Sequence, residues 1–344
     1  MNNSFLQKIL FVVAILIVVF AGNKNIYSFK KDLQTTNSNS LKIKEEIPFV
    51  GWPFKNTKDE ISISSLNSQL ALNNNSSKEI LESNLSTPNP FIFKYKSHNY
   101  FEPEISAEIA LIADLKSEKI IWSKNENKRW PLASLTKLIT AVYVLKNFDS
   151  KAQIEVKDKD FQNSGDLNLL PGEIYIVSDL IAWMLLPSNN TSAYVLANYK
   201  NYDKFMEGMN NLVLDWGVKS TFFKEPSGIS VANQSTALDV LKIVKKIYEE
   251  YPEVLKITQS KSLNVKDLSK NKIKTIYNTH PFVGEKKFLG GKTGQTDFAL
   301  QNLVSIFLIK QRPVLFLVMG SKDRTDDTQK ILNWFNENFQ VVEK

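Results

Sequence analysis

Residues 9–22, ILFVVAILIVVFAG, are almost wholly apolar and follow a short N-terminal region carrying Lys8. Such a run reads as the hydrophobic core of a signal peptide or as a short signal anchor. Phe5 and Leu6 can lengthen it if Lys8 snorkels. Val19-Phe20-Ala21 is only a weak cleavage site, and no other membrane attachment is visible downstream. An uncleaved anchor over 1–22 is therefore favoured, and on either reading the rest of the chain is exported. Residues 23–98 have a different texture. QTTNSNS, SISSLNSQLALNNNSSKE and ESNLSTPNP are Ser/Asn-rich without sustained periodicity. They predict a low-complexity tether that cannot bury enough apolar surface to fold.

From residue 99 to 344 the pattern becomes globular. EIALIADLKSEKIIWSKN reads as a strand, a polar turn and a second strand, and RWPLASLTKLITAVYVL as the start of a buried helix. VSDLIAWMLLPSNNTSAYVLANY predicts two helices interrupted at Pro187. NYDKFMEGMNNLVLDWG predicts an amphipathic helix stopped by Gly217, and TALDVLKIVKKIYEEY another. KFLGGKTGQTD is strand-like but glycine-loaded. LQNLVSIFLIKQRPVLFLVMGS predicts a hairpin turning at Lys310–Pro313, and TDDTQKILNWFNENF a closing helix. Strands, a block of helices, then strands and a final helix indicate an α+β domain, with one antiparallel sheet and helices segregated around it.

The chain has 344 residues and a net charge of +7, from 43 basic against 36 acidic residues. No compact basic run interleaved with aromatics is present, which argues against nucleic acid as a partner. There is no cysteine, so thiol nucleophiles, Cys-ligated zinc and disulfides are excluded. The two histidines, His98 and His280, are too few for a multi-histidine zinc site. Neither lies in a nucleophile-elbow context, and both read as surface or packing residues.

Ser134 and Lys137 stand out at the mouth of an otherwise apolar helix. Three residues apart, they share one helical face. A serine in the first helical turn has a free backbone N–H and sits at the positive end of the helix dipole, so it carries half of an oxyanion hole. A neutral lysine amine one turn on can take its proton. The spacing alone is weak, since Ser28/Lys31 and Ser269/Lys272 share it. Two further pieces follow in order: PSNNTSA, with Ser188 and Asn190, and LGGKTGQTD, with Lys292, Thr293 and Gly294. That ordered trio is the motif set of penicillin-binding proteins and class A β-lactamases.

Residues from about 100 to 344 resemble the low-molecular-mass penicillin-binding proteins, the serine-type D-alanyl-D-alanine carboxypeptidases. EISAEIALIADLKSEKIIWSKNENKRWPLASLTK, EPSGIS, STALDV and DRTDDTQKILNWFNENF carry the likeness beyond the motifs. The resemblance implies a β-lactamase/transpeptidase-like fold with a five-stranded antiparallel sheet, flanking helices and a mostly helical subdomain. It also implies no metal or cofactor, peptidoglycan stem peptides as substrate and β-lactams as covalent inhibitors. Ser134 would be the acylated nucleophile, Lys137 its proton acceptor, Ser188 the proton relay to the leaving amine and Asn190 a substrate ligand that also places Lys137. Lys292 would keep the site electropositive, and Thr293 would bind the terminal carboxylate. Gly290, Gly291 and Gly294 would let a substrate backbone lie along the strand edge. The N–H groups of Ser134 and Gln295 would form the oxyanion hole. Of the two lysines, Lys137, enclosed on its helix, is expected to be neutral, and Lys292, on a strand open to substrate, to stay charged.

Some positions depart from the family pattern. The second motif usually reads Ser-Gly-Asn-Asp, but here it is Ser188-Asn189-Asn190-Thr191, without the carboxylate. Where Ala-Gly often follows the third motif, this chain has Ala299-Leu300. Arg324 falls where the family places arginines near the substrate carboxylate, or else is a solvated helix-start residue. Three other functions stay open. They are a D,D-endopeptidase cutting cross-links, a β-lactamase using Glu225 for deacylation, and a catalytically dead wall-binding or sensor protein. Glu225 lacks the Glu-x-x-x-Asn context of a deacylating loop, because position 229 is Ile.

Overall fold

The computed structural model describes residues 91–96, 101–161, 166 and 168–343. The apolar run at 9–22, the Ser/Asn-rich stretch as far as residue 90, and His98 lie outside them. In chain order the longer strands are β1 (Phe91–Tyr95), β2 (Ile109–Asp114), β3 (Ile120–Lys124), β4 (Ser262–Asp267), β5 (Lys272–Tyr277), β6 (Phe288–Thr296), β7 (Leu300–Ile309), β8 (Arg312–Ser321) and β9 (Phe339–Glu343). The helices are α1 (Lys137–Asn147), α2 (Val177–Leu185), α3 (Asn190–Asn198), α4 (Tyr202–Asp215), α5 (Ala237–Glu250), α6 (Pro252–Gln259) and α7 (Arg324–Asn338).

The expected antiparallel five-stranded sheet is present, in the order β6-β7-β8-β2-β3. Its central strands β8 and β2 are buried along their whole length. Alternation along them therefore feeds two cores. Ile109, Leu111, Ala113, Leu315, Leu317 and Met319 face the helical block. Ala110, Ile112, Val314, Phe316 and Val318 face α7 and the terminal strands. β6 ends the sheet, so only one of its edges is paired with another strand, β7. The hairpin turn is tighter than expected. Lys310 (φ 44°) and Gln311 (φ 65°) alone make it, and Arg312 and Pro313 already pair with Ile309 and Leu308. Two left-handed residues in succession match the twist of the flanking strands.

Three features were not anticipated. Phe91–Tyr95, within the segment whose composition suggests a tether, forms a strand paired with Phe339–Glu343. Phe93 there is buried with its ring 5.3 Å from Phe335. Pro252 opens a short helix, α6, at the first helical position, where its missing N–H costs nothing. The β4–β5 hairpin follows, mostly exposed and lysine-rich, with too little apolar alternation to announce it.

The end of β8 is anchored by an ion pair between Arg312 and Asp114, both 2% exposed. Asp114 also accepts from Ser117 Oγ and from the Lys116 N–H at 3.2 Å. Breaking a buried pair from one side strands the remaining charge. Asp114→Ala is expected to destabilise the domain by about 3–5 kcal/mol, read as a lowered midpoint in urea unfolding. A change within experimental error would show that Arg312 finds another partner.

Candidate active site

Trp130-Pro131 pairs with Gln234-Ser235, and the chain then enters a 3₁₀ turn over Ala133–Thr136 before α1 begins at Lys137. Ser134 thus sits in a tight turn ahead of the α-helix rather than within its first turn. Ala133 carries φ 48°, an uncommon and strained value for a residue with a side chain. Gly228 packs directly against this turn. A Cβ there would lie 1.8 Å from the Ala133 carbonyl oxygen, so no side chain fits. Ser134 is half-buried while Pro131–Ala133 and Leu135–Val142 are buried, so the turn presents one hydroxyl to the cleft.

Lys137 is fully buried, and its Nζ lies 2.7 Å from Ser134 Oγ, 2.6 Å from Asn190 Oδ1 and 2.7 Å from the Ser227 carbonyl oxygen. Asn190 opens α3, which Asn189 caps by accepting from Ser192 N–H at 2.7 Å. Ser188, just before it, has φ 64°, a second left-handed residue beside the cleft. Thr191 does replace the acidic residue expected there, and it is buried. A carboxylate nevertheless reaches the spot from elsewhere in the chain, since Asp166 accepts from the Asn190 backbone N–H.

β6 forms the opposite wall. Lys292 Nζ donates to Ser188 Oγ at 2.8 Å and to the Thr293 carbonyl at 3.0 Å. Thr293 Oγ1 is 3.3 Å from Thr279 Oγ1. A Cβ on Gly294 would lie 3.3 Å from Ser134 N and 3.0 Å from Leu132 O, so this glycine lets the strand close on the nucleophile turn. Gln295 is exposed at the strand's end. The expectation for the other two glycines fails. A Cβ on Gly290 would meet Thr258 and Leu255, and one on Gly291 would meet Val304 O and His280. They seat β6 on its neighbours, as Gly294 seats it on the Ser134 turn. Leu300, in place of a glycine, holds φ 52°, which explains why glycine suits that position. Arg324 is not a solvated helix-start residue. Its guanidinium donates to the Gly294 carbonyl at 3.0 Å and is half-buried.

The charges differ from the expectation. Lys292 is not on an open strand; it is 2% exposed, like Lys137 a buried amine. Burial lowers Lys137 to about 8, against the opposing pull of Glu225 and Asp166. Burial drives Lys292 well below the usual lysine range, aided by the positive charges of Lys137 and Arg324. Among the described residues no carboxylate offsets this at Lys292, so the loss of charge falls mainly there. His280 is a packing residue, as expected. Its ring lies 4.5 Å from that of Phe288, its Nε2 lies 3.0 Å from Val304 O, and burial pushes it down to about 3.

The Glu225 carboxylate is taken up by its own loop and by α3. It is 7% exposed and accepts from Ser227 N–H and Oγ at 2.7 and 2.6 Å, Gly228 N–H at 2.6 Å and Tyr194 OH at 3.1 Å. Both carboxylate oxygens are thus occupied by neutral donors of the protein. Asp166 and the Ser227 carbonyl are the site groups missed in the sequence. A backbone oxygen and a loop carboxylate far from every motif leave no local signal. No cluster of His, Asp or Glu suited to a metal occurs among the described residues.

A family model described as D-alanyl-D-alanine carboxypeptidase, Peptidase S11, matches residues 96–323. The D-alanyl-D-alanine endopeptidase of Escherichia coli K12 is 28% identical over 68% of this chain and 78% of its own length. The D-alanyl-D-alanine carboxypeptidase DacA of Haemophilus influenzae is 30% identical over 70% of this chain and 64% of its own length. The chain thus spans slightly under two thirds of that relative. The crystal structure of D-alanyl-D-alanine carboxypeptidase from Mycobacterium tuberculosis H37Rv superposes with a TM-score of 0.63 at 24% identity, over 69% of this chain and 94% of that one. With the fold, the nucleophile turn and the family match in agreement, the chain belongs to the serine D-alanyl-D-alanine carboxypeptidase family, Peptidase S11.

Proposed function

We propose that this chain is a penicillin-sensitive serine D-Ala-D-Ala carboxypeptidase acting on peptidoglycan stem peptides through an acyl-enzyme on Ser134. One observation carries the reading. Two of the three outward positions on Lys137 Nζ point at fixed acceptors, Asn190 Oδ1 and the Ser227 carbonyl, and the third points at Ser134 Oγ. In the neutral amine the two remaining N–H groups stay on those acceptors, which leaves the lone pair on the serine hydroxyl. Ser134 Oγ then attacks the penultimate D-Ala carbonyl while its proton passes to Lys137 Nζ. The N–H groups of Ser134 and Gln295 take the oxyanion. Collapse expels the terminal D-Ala, whose amine is protonated through Ser188, itself bonded to Lys292. Water then releases the shortened peptide from Ser134. The terminal carboxylate of the substrate, held by Thr293, supplies Lys292 with the anion the protein does not provide.

A second reading on the same scaffold is a D,D-endopeptidase. The relative of that name is matched over more of its own length than the carboxypeptidase is. A monomeric pentapeptide and a cross-linked dimer offered to the same preparation separate the two, by release of D-Ala or of monomers. The apolar run at 9–22 supports export and an N-terminal membrane anchor, with the catalytic domain outside the cytoplasmic membrane. Recovery of the chain in the soluble cytoplasmic fraction would exclude that.

Mass spectrometry after exposure to penicillin is expected to find one covalent adduct, on Ser134. An adduct on Ser188 instead would reassign the nucleophile. Lys137→Arg, which cannot act as a base, is expected to lower the acylation rate by roughly 10²–10⁴. The pH profile follows from the base. Only neutral Lys137 accepts a proton and its value is about 8, so acylation should climb as pH rises towards that value and fall about tenfold per unit well below it. A rate flat across that range in stopped-flow experiments would remove Lys137 from the role.

A further inference from the structure

Glu225 is a buried carboxylate that the reaction as described does not use. Its donors are all neutral. Besides Ser227, Gly228 and Tyr194 they are Asn233 Nδ2 at 3.0 Å and the Ser230 N–H at 3.3 Å. Neutral donors stabilise a buried charge without cancelling its field. Ser227 fixes the carboxylate beside the active site. Its N–H and Oγ sit on the carboxylate, while its carbonyl sits on Lys137 Nζ. The loop is clamped beside the nucleophile turn by Thr140 Oγ1, which donates to the Pro226 carbonyl at 2.6 Å, and by Gly228 against Ala133. Asp166 approaches from another side, on the Asn190 backbone N–H, while Asn190 Oδ1 holds the same amine.

We propose that Glu225 and Asp166 are positioning residues that hold a proton on Lys137 between turnovers, and so set the pH range in which Ser134 can be acylated. Both carboxylates favour the charged amine, Glu225 the more strongly. Burial opposes them at Lys137, while Lys292, on β6, is itself pushed well below the usual lysine range by burial and by the charges of Lys137 and Arg324. Tyr194 on α3 and Tyr202 on α4, which face Glu225, are pushed up by burial and by that carboxylate, so they stay neutral and do not screen it. Before each acylation Lys137 releases its proton to water, and the resulting neutral amine accepts the proton of Ser134. The two acids thus cover for the carboxylate missing at Thr191, from two separate loops.

The inference rests on Lys137 as the base, and the experiment separates the two claims. Penicillin acylation rates of the full chain would be measured from about pH 5 to about pH 9. Glu225→Gln and Asp166→Asn keep shape and an acceptor oxygen but remove charge. Each is expected to move the acid-limb midpoint downward, Glu225→Gln by about one pH unit and Asp166→Asn by less. Ser227→Ala keeps the Glu225 charge but loosens the loop, so its plateau rate should fall while its midpoint stays. A folded Glu225→Gln or Asp166→Asn protein with an unmoved midpoint overturns the proposal, as does an equal movement in Ser227→Ala. If Glu225→Gln does not fold, Asp166→Asn decides alone. A wild-type profile with no acid limb would instead remove the base assignment on which the proposal stands.

Discussion

A buried lysine amine must have every N–H accounted for, and Lys137 meets that demand with three oxygens from three separate parts of the chain. One is the hydroxyl of the turn that leads into its own helix, one opens α3, and one is a backbone carbonyl of the 225–228 loop. The arrangement works only if all three arrive together within a few tenths of an ångström. Much of the surrounding structure follows from that requirement. Ala133 and Ser188 accept left-handed backbone on either side of the cleft, and Gly228 gives up a side chain so that its loop can touch the nucleophile turn. Strain of that kind persists only where the neighbours over-determine it. Here they do: Asn302 Nδ2 holds the Pro131 and Leu132 carbonyls, and Asn233 receives the Leu132 N–H on its carbonyl.

The sheet contributes rigidity on the other wall. β6 is an end strand, yet its glycines are filled from behind by Thr258, Val304 and His280, so it cannot slide away from the nucleophile turn. Arg324, at the start of α7, holds the Gly294 carbonyl from the end of the strand. The edge of β6 therefore presents a fixed row of groups, Lys292, Thr293 and Gly294, and not a flexible ribbon.

The sequence was most readable where the chemistry and the periodicity are local. Ser134, Lys137, Ser188, Asn190, Lys292 and Thr293 stand together as their motifs imply, and the helices over 177–250 follow their apolar spacing. What escaped is non-local. β1 pairs with β9 at the far end of the described chain, and a five-residue stretch gives no sign of such a partner. Asp166 lies in a polar loop with no motif of its own. The roles of Gly290 and Gly291 were misread because a glycine's reason is the atom that would occupy its Cβ, and that atom belongs to another element. The burial of Lys292 was missed for a similar reason. A strand's pattern says which face a side chain takes, but not that Ser188 and Thr293 will close over it.

The two lysines show how one cleft can ask opposite things of one residue type. Burial lowers both, and the charge of Lys137 lowers Lys292 further. Symmetric surroundings would leave it undetermined which amine carried the proton at a given moment. The protein breaks the symmetry by placing its acids, Glu225 and Asp166, near Lys137 alone. Lys137 is then protonated within reach of neutral pH, and among the described residues Lys292 has no anion of its own. A carboxylate brought to the β6 side would favour a charged Lys292, whose amine donates to Ser188. On the proposed mechanism, recognition of the peptide's end and delivery of a proton to the departing residue would be tied to the same amine.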